Sequence, residues 1–175
     1  MKILAFAGST SSTSINKQLI ELTATLLNEH NVEVLDLNDY DAAMYSSDKE
    51  KEIGIPAQIT SLASKIDSSD LIIISFAEHN GAYAAAFKNA FDWLSRIKDR
   101  KAWAEKNMFL MATSPGARGG KGVLEIAADR FPRNGGNVVD TFSFPSFYEN
   151  FEAGKRITNS ELLDELKGKI ARVLS

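Results

Sequence analysis

The sequence contains no cysteine, which excludes disulfide bonds, a catalytic thiol and cysteine-bound metal. Histidine is scarce as well, since His30 and His79 are the only two, and a histidine-rich metal site is therefore not expected. An excess of basic residues is also missing, because the net charge is -3. We therefore predict neither a metal site nor a nucleic-acid partner.

The chain also lacks long apolar runs. No window approaches the roughly 18 apolar residues of a membrane span, and no leader-like segment precedes the first apolar run. A cytoplasmic location without membrane contact is the resulting expectation. The 175 residues, 44% of them hydrophobic, suit a single domain over 1–175 with a substantial core.

What the sequence does contain is an alternation of short apolar segments with amphipathic ones. The predicted strands are residues 3–7, 32–37, 71–76, 108–113 and 138–144. Two predicted helices begin at Ile15 and at Pro56, and two more cover 83–97 and 123–131. The last predicted helix begins at a capping box formed by Thr158 and Glu161. Such alternation predicts an α/β fold with a parallel sheet.

Two segments between these elements allow two interpretations each. The polar segment 38–54 is either a solvated connection or a rim over a ligand site. In segment 83–97 the apolar side chains spread over a wider arc than one sheet face needs. That arc fits either a subunit interface or a deeply buried helix.

Three polar or glycine-rich loops follow the first, third and fourth predicted strands, at 8–14, 77–83 and 113–122. Ligands of parallel α/β sheets bind at the carboxyl ends of the strands, so these loops are predicted to meet at one site. Every residue in 9–14 carries a hydroxyl, and a helix follows. This pattern predicts a phosphate site at the helix N-terminus, although capping of the helix is the simpler explanation.

The first loop lacks two common nucleotide motifs. It has neither the lysine of G-x-x-x-x-G-K-[ST] nor the glycines of G-x-G-x-x-G. Hydroxyls and backbone N–H groups must then hold the phosphate, which suits a monophosphate.

In the second loop Glu78 is either a base or a structural residue, and His79 is either a ligand contact or simply exposed. In the third loop, backbone around Gly116 offers a surface for a flat ring, and Arg118 is a phosphate contact, a subunit contact or a solvated residue.

These motifs resemble those of the NADPH-dependent FMN reductase family. The family pattern G-S-x-R-x-x-S-x-N is matched by Gly8, Ser9, Ser14 and Asn16, with Ser11 at the place of the arginine. Without that arginine, one cationic phosphate contact is missing.

The resemblance extends over nearly the whole chain. A pattern similar to P-E-Y-N-G-S occurs at 77–82, with Ala77 and His79 at the places of proline and tyrosine. The run K-N-A-F-D-W-L-S-R at 88–96 is the most specific part of the resemblance.

The resemblance implies a flavodoxin-like three-layer sandwich, in which a five-stranded parallel sheet of order 2-1-3-4-5 has helices on both faces. It also implies non-covalent FMN, reduced by hydride from NADPH or NADH and reoxidised by free flavin, a quinone, an azo dye or a metal oxyanion. No catalytic side chain is expected, because the flavin carries the chemistry. The resemblance assigns cofactor contacts to all three loops: Ser9, Ser11, Ser14, Ile15, Asn16, Ala77, Glu78, His79, Asn80, Gly81, Ser114, Pro115, Gly116, Gly119 and Gly120.

A homodimer or homotetramer is a further implication of the resemblance. The aromatic residues at 142–151 would then border the flavin, or else belong to the core of the fifth strand. Two other functions stay open: a non-enzymatic flavodoxin-like electron carrier, and a phosphate-ligand module that binds no flavin.

Overall fold

The structure is a computed structural model that describes residues 1–152 and 156–175. In chain order its strands and helices are β1 (Lys2–Gly8), α1 (Ile15–Thr25), β2 (Asn31–Leu35), α2 (Ser47–Ile53), α3 (Ala57–Asp67), β3 (Leu71–Phe76), β4 (Glu78–His79), β5 (Ala82–Tyr83), α4 (Ala85–Leu94), β6 (Lys106–Thr113), α5 (Lys121–Arg130), β7 (Gly136–Phe144), α6 (Phe147–Asn150), β8 (Phe151–Glu152), β9 (Arg156–Ile157) and α7 (Ser160–Leu174). Short 3-10 helices occupy Leu37–Tyr40 and Phe131–Asn134.

The central sheet is parallel throughout, with the strand order β2-β1-β3-β6-β7. Because β4 and β5 form a separate hairpin, β6 and β7 are the fourth and fifth strands of the sheet. The predicted flavodoxin-like order 2-1-3-4-5 is therefore confirmed. All five strands were located from their apolar runs, and the bounds of β3 agree to the residue.

Alternate side chains along each strand enter two different cores. In β1, Leu4 and Phe6 pack into the core under α3, α4 and α5. Their neighbours Ile3 and Ala5 pack into the core under α1 and α7. This follows from the two-residue period of a strand, and it explains why the central strands are apolar on both faces.

The wide apolar arc of α4 is accounted for within the chain. Phe87, Phe91, Trp93 and Leu94 are all buried, with Trp93 fully enclosed. Trp103, from the connection that follows α4, stacks on Phe91 with ring centroids 5.3 Å apart. The interpretation as a deeply buried helix is therefore correct, and the arc gives no support for a subunit interface.

The acidic residues of segment 38–54 are exposed or part-exposed, as expected for a solvated connection, although the segment also contains α2 and most of a 3-10 helix. One local prediction is wrong. The last helix is capped by Asn159 rather than by Thr158, since Asn159 Oδ1 accepts hydrogen bonds from the amides of Glu161 and Leu162 at 3.1 and 3.2 Å. Asparagine caps helices at least as well as threonine, so the helix begins one residue later than a Thr158 cap would place it.

Among the residues that the structure describes, no helix combines the length and the apolar character needed to cross a bilayer.

Candidate cofactor site

A cavity of about 210 Å³ opens at the carboxyl ends of β1, β3 and β6, and all three predicted loops contribute to it. Of the residues predicted from the sequence, those that line it are Ser9, Ser11, Ser14, Ile15, Asn16, Ala77, Glu78, His79, Ser114 and Pro115. Thr13 and Thr113 line it too and were not among the predicted contacts, and Tyr148 lines it as one of the aromatic residues named as possible flavin neighbours. The structure therefore brings parts of the three loops together around one space.

The first loop presents hydroxyls to this cavity. Ser14 caps α1, because its Oγ accepts a hydrogen bond from the Lys17 amide at 3.2 Å. Ser9, Ser11 and Thr13 take no part in the cap and line the cavity, while their side chains make hydrogen bonds within the loop. Hydroxyl donors beside the N-terminus of a helix are chemically suited to a phosphate group. The cap of α1 is thus made by Ser14, and the other hydroxyl residues that line the cavity take no part in it.

Asn16 lines the cavity and also has a structural role. Its side chain is 3% exposed. Its Oδ1 accepts hydrogen bonds from Ser75 Oγ at 2.7 Å and from the Thr113 amide at 3.0 Å. Its Nδ2 donates to the Thr113 carbonyl at 3.3 Å. The amide therefore joins α1 to the ends of β3 and β6, and one of the two Nδ2 hydrogens is not used in these bonds.

The cation that follows the hydroxyl loop is already paired. Lys17 Nζ lies 2.7 Å from Asp36 Oδ2 at the end of β2. Hydrogen bonds from Lys17 and from the backbone and side chain of Asn38 lower the pKa of Asp36 to about 2. Asn38 Nδ2 also donates to the Thr10 carbonyl at 3.2 Å, so this pair fixes the outer side of the first loop. The cavity wall formed by 9–14 is correspondingly rich in hydroxyls and contains no cation.

The second loop is a β-hairpin, which the sequence analysis did not predict. β4 and β5 pair antiparallel, and Asn80 and Gly81 at the tip have φ of 53° and 75°. Positive φ at both positions is the signature of the two-residue turn that Asn-Gly favours. Asn80 and Gly81 are exposed at this tip, whereas Ala77, Glu78 and His79 line the cavity.

The glycines of the third loop are explained by packing. A Cβ on Gly119 would lie 2.5 Å from Ser143 Oγ, and one on Gly120 would lie 2.7 Å from Ala112 Cβ. Both residues also have positive φ. Together with the exposed Gly116 they lie outside the cavity lining, to which this loop contributes Ser114 and Pro115.

Tyr148 extends the site beyond the three loops. It is 71% exposed at the border of the cavity, although its neighbour Phe147 is buried in the core. Backbone hydrogen bonds from Ser146 and Phe147 to Gly116 and Ser114, at 3.0 and 3.1 Å, bring this segment against the third loop. The core interpretation is therefore correct for the phenylalanines at 142, 144, 147 and 151 but not for Tyr148.

The 88–96 run fixes a connection and does not line the cavity. Asn89 Oδ1 accepts a hydrogen bond from the Tyr45 amide at 2.8 Å, and its Nδ2 donates to the Ala42 carbonyl at 2.9 Å. Trp93 Nε1 donates to the Ala43 carbonyl at 2.7 Å. These bonds hold the chain between β2 and α2 against α4, which gives the motif a structural purpose.

Comparison with known proteins agrees with this architecture. The model of the NADPH-dependent FMN reductase family matches residues 1–149. An uncharacterized protein of Mycoplasma pneumoniae is 31% identical over 157 residues, covering 87% of this chain and 92% of the relative. The quinone reductase of Escherichia coli is 36% identical over 80 residues, covering 46% of this chain and 42% of the relative. FerB, a flavoenzyme NAD(P)H:(acceptor) oxidoreductase from Paracoccus denitrificans, superposes with a TM-score of 0.79 at 22% identity, covering 98% of this chain and 94% of that one. The chain therefore belongs to the NADPH-dependent FMN reductase family.

Proposed function

We propose that the protein holds FMN at the 210 Å³ cavity and uses it to pass hydride from NADPH or NADH to a small acceptor. Its family consists of NAD(P)H-dependent oxidoreductases that use FMN, so the chain is an oxidoreductase enzyme. Quinones, free flavins, azo dyes and metal oxyanions are the proposed acceptors. The name of the Escherichia coli relative supports quinones in particular.

The observation that carries the proposal is the hydroxyl-lined wall of the cavity. Ser9, Ser11 and Thr13 would hold the phosphate by hydrogen bonds, together with backbone N–H groups at the start of α1. The segments 77–79 and 114–115 stand on the other sides of the cavity and would orient the ring. FMN supplies the hydride chemistry, and the protein supplies binding and orientation.

No catalytic side chain is proposed. Glu78, the carboxylate in the cavity lining, already accepts a hydrogen bond from the Val123 amide at 2.9 Å. His79 lies on the exposed hairpin, where it is free to contact a ligand. Backbone N–H groups beside the ring would stabilise negative charge on it, as preorganised dipoles do.

The test is to mix the purified protein with FMN under anaerobic conditions and then to add NADPH or NADH. We expect the visible absorbance of the bound flavin to bleach on addition of the nicotinamide and to return on addition of a quinone. A protein that binds FMN but is not reduced would be an electron carrier instead. A protein that leaves the fluorescence and visible absorbance of added FMN unchanged would contradict flavin binding altogether.

A homodimer or homotetramer is also proposed, on the basis of the family resemblance. Sedimentation of the protein as a monomer at micromolar concentration would contradict the assembly, and cell fractionation would test the proposed cytoplasmic location.

A further inference from the structure

Helix α5 begins without a capping side chain of its own. Its N-cap residue, Gly120, offers no side chain, and its first turn contains no acidic residue. The Val123 amide nevertheless has a hydrogen-bond partner, because it donates to Glu78 Oε2 at 2.9 Å. A bond that helices usually receive from their N-cap residue comes here from a strand 45 residues earlier in the chain.

The carboxylate and the start of the helix are fitted closely to each other. A Cβ on Gly122 would lie 3.1 Å from Glu78 Oε2 and 3.4 Å from its Cδ. Absence of a side chain at Gly122 therefore lets the carboxylate reach the first turn. A negative charge at this end of a helix is favourable, and a charge-assisted hydrogen bond is stronger than a neutral one.

This contact joins two walls of the candidate cofactor cavity. Glu78 belongs to β4, whose backbone continues the 77–79 wall. Helix α5 follows directly on the third loop, which supplies Ser114 and Pro115 to the cavity. The Glu78 carboxylate therefore connects the β4–β5 hairpin to α5, which begins where the third loop ends.

We propose that Glu78 is a positioning residue, which caps α5 and thereby holds the β4–β5 hairpin and the third loop at a fixed separation around the flavin. The proposal rests on FMN binding at this cavity. It makes the structural interpretation of Glu78 specific, because Glu78 acts on the site through α5 and not as a base.

The first experiment uses the flavin-free protein. Glu78→Ala removes the acceptor, and exchange of the Val123 amide hydrogen, followed by NMR, should then accelerate at least about 10-fold. Glu78→Gln keeps an oxygen at the same reach but loses the charge, so exchange should lie between those of wild type and Glu78→Ala. Ser46→Ala is the matched control, because Ser46 Oγ caps the Lys49 amide of α2 at 3.0 Å, and it should leave Val123 unchanged.

The second experiment is an FMN titration of the same variants. We expect Glu78→Ala to weaken FMN binding about 10-fold, and Glu78→Gln and Ser46→Ala to stay within about threefold of wild type.

Two results would overturn the inference. One is unchanged FMN affinity in Glu78→Ala. The other is a Glu78→Gln variant as weak as Glu78→Ala while its Val123 amide stays protected, since that would make the charge itself the ligand contact. The exchange experiment uses flavin-free protein, so it measures the capping role of Glu78 whether or not FMN binds. A wild-type protein that fails to bind FMN would refute the proposed function only.

Discussion

Ser9 begins the row of hydroxyls at the candidate cofactor cavity, and its Oγ accepts a hydrogen bond from the Ser11 amide at 3.3 Å. An aspartate at this position can accept the same bond, so Ser9→Asp adds a negative charge with little other change. If a phosphate lies here, we expect FMN affinity to fall by about 10- to 100-fold, because like charges in contact repel. Titration of the protein with FMN, followed by the fluorescence of the flavin, measures the loss of affinity.

The control for that variant is Ser61→Asp, which places the same charge on the exposed surface of α3. We expect it to leave FMN affinity unchanged. Equal affinities for Ser9→Asp and the wild type would remove the first loop from the cofactor site.

The Lys17–Asp36 pair predicts a pH dependence. Because the folded-state pKa of Asp36 is lowered to about 2, its stabilising contribution is complete above the unfolded value of about 3.9 and is lost as pH falls toward 2. The full shift corresponds to about 2.5 kcal/mol, which we reduce to about 1 kcal/mol because both side chains are exposed.

Urea unfolding of Asp36→Asn at several pH values tests the predicted pH dependence of the Lys17–Asp36 pair. The difference in free energy of unfolding from wild type should be about 1 kcal/mol at pH 6 and should shrink toward zero near pH 2. Asp164→Asn, on the exposed face of α7, is the matched control. A difference that does not vary with pH would contradict the assignment to this pair.

At the scale of elements, α4 holds the connection that leads from β2 to α2. Asn89→Ala would leave the Tyr45 amide and the Ala42 carbonyl without their partner, so we expect a loss of about 1–3 kcal/mol in the free energy of unfolding. Proteolysis of the native protein should also become faster within 41–46. Chemical denaturation and limited proteolysis measure the two effects.

The matched control on the same helix is Lys88→Ala, which removes an exposed pair with Asp92. We expect a change within about 0.5 kcal/mol, as for other surface ion pairs. Equal losses for the two variants would show that the Asn89 hydrogen bonds contribute little.

The sheet could be predicted from the sequence because each strand is an apolar run that is buried on one or both faces. The hairpin could not be predicted from periodicity, since β4 and β5 have two residues each. The Asn80–Gly81 turn was its one available signal. The Asn159 cap was missed because Thr158 beside it satisfies the same sequence pattern.

The sequence predicts which loops form the candidate site, but not the contacts that its individual residues make. The hydroxyls of 9–14 are visible in the sequence, and their proximity to 77–79 and 114–115 follows from strand order. The partners of Asn16 and Glu78 depend on β6 and α5, which lie far along the chain, and no local pattern indicates them. Tyr148 was grouped with its buried neighbours because all of them are aromatic. The sequence does not show that adjacent residues of this short helix face opposite environments.

At the scale of the whole molecule, the two cores share one sheet. β1, β3 and β6 contribute side chains to both of them. We therefore predict that residues 1–175 form a single domain that unfolds in one cooperative transition. Both tryptophans, Trp93 and Trp103, lie in the core under α3, α4 and α5, so their fluorescence reports on that face alone.

Far-UV circular dichroism also follows α1 and α7 on the other face. The two signals should give the same urea midpoint, and separate midpoints would show that the faces unfold independently.

The connection held by Asn89 and Trp93 has a practical consequence. Met44 lies between the anchored Ala43 and Tyr45 with 71% of its surface exposed. Since the chain has no cysteine of its own, Met44→Cys would carry the single thiol in the protein. A maleimide dye or spin label would then attach at one known position on a firmly held segment, and so give a fixed reference point for distance measurements.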